Sequence, residues 1–197
     1  MGSPNDLHYI KAVCPEVTGA ILEIGARENA TGFRGYFAAN AAEYVGTDLV
    51  PGNDVDVVCD LTAPENSLPK NHFDLVICCS VMEHVPNPWV MAEKLAEVVK
   101  PGGKLYICVP WAWRYHAYPD DYYRFSFRAI EYLFPDFEWD RYAYSTENDG
   151  DIRWIHKNEV GRDNKWLYIE RDDQGQVIKK YVPYLLINLI GTKKNVS

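Results

Sequence analysis

The side chains best suited to chemistry crowd together between Pro110 and Ser126, where the chain reads PWAWRYHAYPDDYYRFS. Trp113, Tyr115 and Tyr118 offer flat faces that attract cations and exclude water. Asp121 and Arg124 add two opposite charges three residues apart. His116 is the best candidate general base, because an ordinary imidazole titrates near pH 6.5 and accepts a proton at neutrality. A second histidine, His84, follows Glu83 in SVMEHV. Three further acids stand alone after apolar runs: Glu23 in ILEIGA, Asp48 in YVGTD and Asp60 in CDL. A carboxylate accepts hydrogen bonds without needing a donor of its own, which suits it to a hydroxyl pair or an exocyclic amine.

Such residues need a frame. The apolar runs GAILEIGA (19–26), EYVGTDL (43–49), VDVVCDL (55–61), FDLVICCS (73–80) and KLYICVP (104–110) are nearly continuous in apolarity. Strands of a parallel sheet covered on both faces read this way. Helices are expected over 31–42 and over NPWVMAEKLAEVVK (87–100). In the second of these Trp89, Ala92, Leu95, Ala96 and Val99 form the apolar stripe, Asn87 caps the start and Pro101-Gly102-Gly103 end it. The alternation predicts an α/β fold: one doubly wound, mostly parallel, Rossmann-like sheet. Only about six residues separate the second and third runs, less than a parallel crossover usually needs. Either that crossover has lost its helix or one of the two strands is frayed. SFRAIEYLF (126–134) reads as a helix, and FEWDRYAYS and KKYVPYLLINLIGTKK as late strands whose antiparallel pairing adds an edge to the sheet. A hairpin turning at Asp173 to Gly175 is expected within the polar 148–180 region. The whole forms a single domain, with a core over 19–134 and C-terminal strands over 135–197 carrying that insertion.

Composition narrows the function classes. The 197 residues are 47% hydrophobic and 24% charged, which argues against wholesale disorder. A net charge of −8 argues against a nucleic-acid partner. Apolar runs are too short to span a bilayer, the N-terminus carries no signal-peptide pattern, and the five cysteines show no metal-ligand spacing. A cytoplasmic protein with no membrane partner is expected; oligomeric state stays open.

In order and spacing, ILEIGA, YVGTD, CDL, FDLVICCSVMEHV and VVKPGGKLYICVP resemble the class I (Rossmann-like) S-adenosylmethionine-dependent methyltransferases, over about residues 19–134. The nearest subgroup carries an arginine after the first-strand glycine and His-x-Tyr-Pro-x-Asp-x-x-Arg-Phe beyond the fifth strand, here His116 to Phe125. The resemblance implies that Glu23 and Gly25, with Ala26, frame the methionine end of S-adenosylmethionine. It implies Asp48 and Leu49 at the ribose, Asp60 and Leu61 at the adenine, and Ser80 at the mouth of the fourth strand. Arg27 reads first as an ion-pair donor and second as a cofactor contact. The family's acid-x-Gly-x-Gly-x-Gly loop keeps one glycine here, Gly25. In ubiquinone-pathway O-methyltransferases a similar Glu-His, preceded three residues earlier by another Glu, is associated with a metal. Ser80 stands at that earlier position, the ligand set is incomplete, and no metal is expected.

The resemblance makes the 110–126 stretch the substrate wall, with Trp113, Tyr115, Tyr118, Asp121 and Arg124 toward a small-molecule acceptor and His116 or His84 in catalysis. The competing reading is a packed loop in which Asp121 pairs Arg124 and the tyrosines fill space. The expected activity is methyl transfer to an oxygen or nitrogen. A non-catalytic ligand-binding or scaffold protein of the same fold is the first alternative. A nicotinamide-dependent oxidoreductase is disfavoured by the absence of Gly-x-Gly-x-x-Gly and of Tyr-x-x-x-Lys. A base methyltransferase is disfavoured because the fourth strand ends in Cys-Cys-Ser-Val.

Overall fold

The computed structural model describes residues 3–27, 32–65, 67–117, 119–160, 169–179 and 184–195. Five parallel strands form one side of its large sheet: β1 (Ala20–Ile24), β2 (Glu43–Asp48), β3 (Val57–Val58), β4 (Phe73–Cys79) and β5 (Val99–Trp113). Three later strands, β6 (Phe137–Ser145), β7 (Ile152–Ile155) and β10 (Tyr184–Lys193), extend the sheet antiparallel, in the order β3-β2-β1-β4-β5-β10-β6-β7. The late antiparallel edge is thus three strands wide, and β10 lies inside it between β5 and β6. Burial of β10 on both faces explains its unbroken LLINLI run. The hairpin around Asp173 is present as β8 (Ile169–Arg171) and β9 (Val177–Lys179), closed by Gly175 at φ +77° and a backbone bond from Asp172 to Gln176. It forms a two-stranded sheet of its own.

Helices cover both faces of the large sheet. One face carries α3 (Pro88–Val98) and α4 (Phe127–Leu133), whose Met91, Leu95 and Ile130 pack on Leu22, Val76, Ile107 and Ile187. The other carries α1 (Pro4–Val13) and the short α2 (Phe33–Phe37), which bring Tyr9, Ile10, Phe33 and Phe37 onto Ile21, Leu75 and Tyr106. Burying the two faces in this way is what stabilises a parallel sheet.

Several expectations are corrected. The helix expected over 31–42 is the short α2, which is entered from Gly32 at φ +73° and gives way to a turn after Phe37. The third strand shrinks to two residues, and its crossover from β2 carries no helix, so both halves of the short-connection problem hold. In α3 the buried stripe is Met91, Ala92, Leu95 and Val98, while Trp89 is half exposed. Asn87 does sit at the N-cap, but its side chain makes no capping bond there. β5 runs three residues past Pro110, so Ala112 and Trp113 pair with Leu185 and Tyr184, with Trp111 at a bulge between them and Pro110. Among the described residues no helix is long and apolar enough to cross a membrane.

Helix α1 escaped the sequence reading, although Ser3-Pro4-Asn5-Asp6 spells its start. Ser3 caps the helix, its amide donates to Asp6 Oδ2 at 2.9 Å, and Pro4 fills the first turn. Tyr9 stacks on Tyr106 at 5.0 Å, and Asn5 bonds the backbone of Thr146, Asn148 and Gly150. These contacts fasten α1 to the turn between β6 and β7.

Asp6 is fully buried, with Cys108 Sγ donating to its Oδ1 at 3.2 Å, and burial pushes its carboxyl up from 3.8 to about 6. The folded chain therefore holds this proton more tightly than the unfolded chain. The group destabilises progressively as pH rises from about 4 through 6, by roughly 3 kcal/mol at most. Asp6→Asn keeps the acceptor for Ser3 and removes the charge. It is expected to raise stability at pH 8 by a sizeable part of that amount and to change little at pH 4. Thermal unfolding at both pH values measures this, and a pH-independent difference would contradict it.

Candidate active site

The strand order reverses between β1 and β4, and the loops beyond their carboxyl ends make the crevice where an open α/β sheet binds ligands. Gly25 lies there at φ +78°, and a Cβ on it would come within 2.7 Å of Val81 Cγ2, just past β4. No other residue fits that position without moving the post-β4 turn. The Gly25 and Ala26 amides both donate to the Thr47 carbonyl, at 2.8 and 3.1 Å, which stitches the first loop to the end of β2.

The missing glycines of that loop have counterparts on the facing one. A Cβ on Gly46 would lie 2.1 Å from the Asp54 carbonyl and 2.9 Å from Ala26 Cβ, and one on Gly52 would lie 2.8 Å from the Arg27 carbonyl. These two glycines let the 46–54 segment pack closely against the first loop. Arg27 itself is exposed and makes no ion pair among the described residues, against expectation. Arg34 does the pairing, with Asp54 at 3.5 Å and with Asp56, while its guanidinium sits 4.8 Å over the Tyr44 ring. Tyr44 in turn donates to Glu23 Oε2 at 2.5 Å. Burial raises the Glu23 pKa, opposed by the Tyr44 hydrogen bond and the nearby Arg34.

Asp48 is half-buried at the end of β2, and its Oδ1 accepts from the Val50 amide at 3.2 Å. Asp60 is exposed, and its Oδ1 accepts from the Thr62 amide at 2.8 Å and hydroxyl at 2.7 Å. Each acid is oriented through one oxygen by a local turn, an arrangement open to a ligand at the other oxygen. Leu49 is exposed and Leu61 buried. Ser80, after β4, is held at φ +54° and donates its amide to the Cys108 carbonyl at 2.8 Å. A non-glycine residue in the left-handed region marks a turn whose shape matters more than its cost of about 1–2 kcal/mol.

Past Ser80 a 3₁₀ turn, Met82–His84, meets the 110–126 segment. The Glu83 carbonyl accepts from the Tyr122 amide at 2.8 Å, and the Phe125 amide returns to the Pro110 carbonyl at 3.0 Å. Asp121 and Arg124 do pair, bidentate at 2.5 and 2.7 Å, and the side chain of Asp121 is almost fully buried. Arg124 also donates to the carbonyls of Trp113, Arg114 and Tyr123, and Asp121 accepts from the His116 amide at 2.9 Å. The pair holds Asp121 well below the usual carboxylate range. With their polar atoms spent internally, Asp121 and Arg124 shape the flap. Tyr115 bonds Asp120 at 2.7 Å and is otherwise exposed; Tyr118 lies outside the described residues.

The two histidines converge. Their rings lie 4.8 Å apart at 77°, and the Trp113 ring stands 5.7 Å from His116. His84 Nδ1 is 2.6 Å from the Asp120 carbonyl, and burial lowers the His84 pKa, partly offset by that bond. Glu83 beside them is 1% exposed, and burial pushes its carboxyl up to about 8. Sequence reasoning weighed Glu83 with His84 only as an incomplete metal set and left it out of the site, since nothing in the spacing shows that it turns inward. Glu83 Oε2 and Trp113 Nε1, on either side of His116, are buried without hydrogen-bond partners among the described residues. Such orphans ask for a ligand.

The family model described as a methyltransferase domain matches residues 7–150. The chain is similar to the ubiquinone biosynthesis O-methyltransferase of Xanthomonas axonopodis pv. citri, 31% identical over 129 residues that cover 54% of this chain and 52% of the relative. The chain spans about half the length, or less, of the curated relatives it matches. In fold it is similar to the YcgJ protein of Bacillus subtilis, with a TM-score of 0.64 at 13% identity over 98% and 99% of the two chains. It is also similar to the 1,6-didemethyltoxoflavin-N1-methyltransferase of Burkholderia thailandensis, with a TM-score of 0.59 at 14% identity over 97% and 77%. At these identities the structures speak for fold alone. The family match extends from α1 to the turn between β6 and β7, so the chain belongs to the methyltransferase domain family.

Proposed function

We propose that the protein transfers a methyl group from S-adenosylmethionine to an oxygen or nitrogen of a small-molecule acceptor. The observation that carries this reading is convergence at one crevice. Acids close β2 and β3, the Gly25 turn and Ser80 close β1 and β4, and the histidine-bearing flap leaves β5 beside them. Support comes from the family match and from the Burkholderia neighbour, which was solved with its acceptor and S-adenosylhomocysteine bound. The Xanthomonas relative is named for an O-methylation.

In this reading Glu23, Gly25, Ala26, Arg27 and Ser80 surround the methionine end. Asp48 with Leu49 takes the ribose hydroxyls, and Asp60 with Leu61 takes the adenine. Trp113 and Tyr115 wall the acceptor, with Asp121 and Arg124 fixing the flap that carries them. A lone pair of the acceptor attacks the methyl carbon, and the carbon–sulfur bond breaks with its electrons passing to sulfur, which leaves a neutral thioether. A hydroxyl acceptor also gives up its proton, and His84 and His116 stand where that proton leaves. Most of the acceleration comes from alignment of the three atoms in line. The acidic surface, with net charge −8, favours a small acceptor over a nucleic acid.

Calorimetry with S-adenosylmethionine, S-adenosylhomocysteine and NAD is expected to show the first two binding and the third not. Asp48→Ala is expected to weaken S-adenosylhomocysteine by a hundredfold or more, about 3 kcal/mol, because a buried ribose diol loses its acceptor. Unchanged affinity in that variant would remove Asp48 from the site. His116→Ala is expected to lower kcat on a hydroxyl acceptor by about a hundredfold or more while the cofactor affinity holds. Unaltered turnover would exclude His116 from the chemistry.

A further inference from the structure

Glu23 lies one residue from the end of β1, and it is only 6% exposed. From the neighbouring strand β2, the Tyr44 hydroxyl donates to its Oε2 at 2.5 Å. Among the described residues no group donates to Oε1, yet that atom is not one of the sealed, unpartnered ones, so it remains open to solvent. Behind Tyr44 stands Arg34, its guanidinium 4.8 Å over the phenol ring. Arg34 is anchored in turn by Asp56, by the Asp54 carboxylate at 3.5 Å and by the Asp54 carbonyl at 3.0 Å. Asp56 Oδ2 also accepts from the Gly46 amide at 2.8 Å, which ties the set to β2.

A carboxyl this deep tends to keep its proton, because burial disfavours the charged form. Burial is the largest influence on Glu23 and raises its pKa; the Tyr44 hydrogen bond and then the Arg34 charge pull it back, and Asp54 opposes them. Burial and the adjoining carboxylate push the Tyr44 phenol far above its ordinary value, so it stays a donor. On the β4 side the group that interacts with Glu23 is Cys79, whose thiol burial pushes up to about 11 and leaves neutral. The charge of Glu23 therefore depends on the tyrosine and the arginine.

We propose that Tyr44, backed by Arg34, is a positioning residue for the cofactor's α-ammonium group: its hydroxyl occupies one oxygen of Glu23, fixes the carboxylate and leaves the other oxygen for the ammonium. This rests on the reading that Glu23 lies at the methionine end of S-adenosylmethionine. Tyr44 and Arg34 act through Glu23. An ammonium only donates, so it needs the ionised carboxylate, and a carboxyl that has kept its proton is a poorer acceptor. Charge-assisted hydrogen bonds are about twice as strong as neutral ones. Cofactor affinity is thereby linked to the proton on Glu23. As pH falls the carboxylate takes up that proton and affinity drops, and a higher Glu23 pKa moves the drop to higher pH.

The test is the calorimetric affinity of the full chain for S-adenosylhomocysteine as a function of pH, in the wild type, Tyr44→Phe and Glu23→Gln. Tyr44→Phe removes one hydroxyl and keeps the ring under Arg34. Without that bond the acidic fall in affinity is expected to begin about one pH unit higher, a deficit of about tenfold near pH 6 that narrows toward pH 8. Glu23→Gln has no proton to lose, so it is expected to flatten the profile, and Tyr44→Phe added to it should bring no pH dependence back. 5′-Methylthioadenosine lacks the amino-acid end, and its affinity should be equal in the wild type and Tyr44→Phe. Asp6 titrates in the same range, but it is present in every variant and cancels in the comparison. A Tyr44→Phe deficit that is equal at every pH, or no deficit, overturns the proposal while the cofactor reading stands. S-adenosylhomocysteine that fails to bind the wild type overturns the cofactor reading and this proposal with it.

Discussion

A loop lying across the open end of a sheet must find partners for its backbone carbonyls, and here one guanidinium meets three of them. Arg124 reaches the carbonyls of Trp113, Arg114 and Tyr123 and closes on Asp121 in a bidentate pair. Planar, forked and always charged, arginine meets that demand where lysine would not. Asp121 uses its remaining capacity on the His116 amide. The ion pair thereby fixes the ring of His116, and through the Asp120 carbonyl the adjoining turn fixes His84. The arrangement of the two rings depends on this pairing, in which both charges are spent inside the flap.

The same logic governs the opposite side of the crevice. The first loop lacks the usual glycines, yet its backbone packs closely against the next loop because Gly46 and Gly52 face Ala26 and Arg27. Arg34, Asp54, Asp56 and Tyr44 then form a polar set around buried Glu23. A linear motif records only one of the two surfaces in contact.

Beneath both loops the sheet is held from each face, and α1 adds a buried polar contact to the apolar ones. Asp6, Cys108, Tyr106, Asn188 and Ser145 connect the N-terminal helix through β5 and β10 to β6. A fully paired network of this kind selects one register among similar apolar strands. Its cost is borne by the Asp6 carboxyl, whose proton affinity rises on burial.

The sequence by itself settled the alternation of strands and helices, the parallel core, the antiparallel C-terminal pairing and the placing of acids at strand ends. Apolar periodicity and turn residues are local properties, and they carry that information without help from the fold. The Asp121–Arg124 pair stood in the sequence only as the alternative to a substrate-facing role for both residues, and folding made it the actual arrangement. What it missed was set by distance along the chain: Arg34 at Glu23, glycines supplied from a second loop, and Trp113 turned into the sheet by pairing with Tyr184. Glu83 and His84 looked like an incomplete ligand set because Ser80 stands where a third donor was sought. Folding brings the His116 ring to 4.8 Å from the ring of His84, 32 residues earlier in the chain. Tertiary structure alone makes such contacts, since no spacing rule reaches across a crossover helix and a strand.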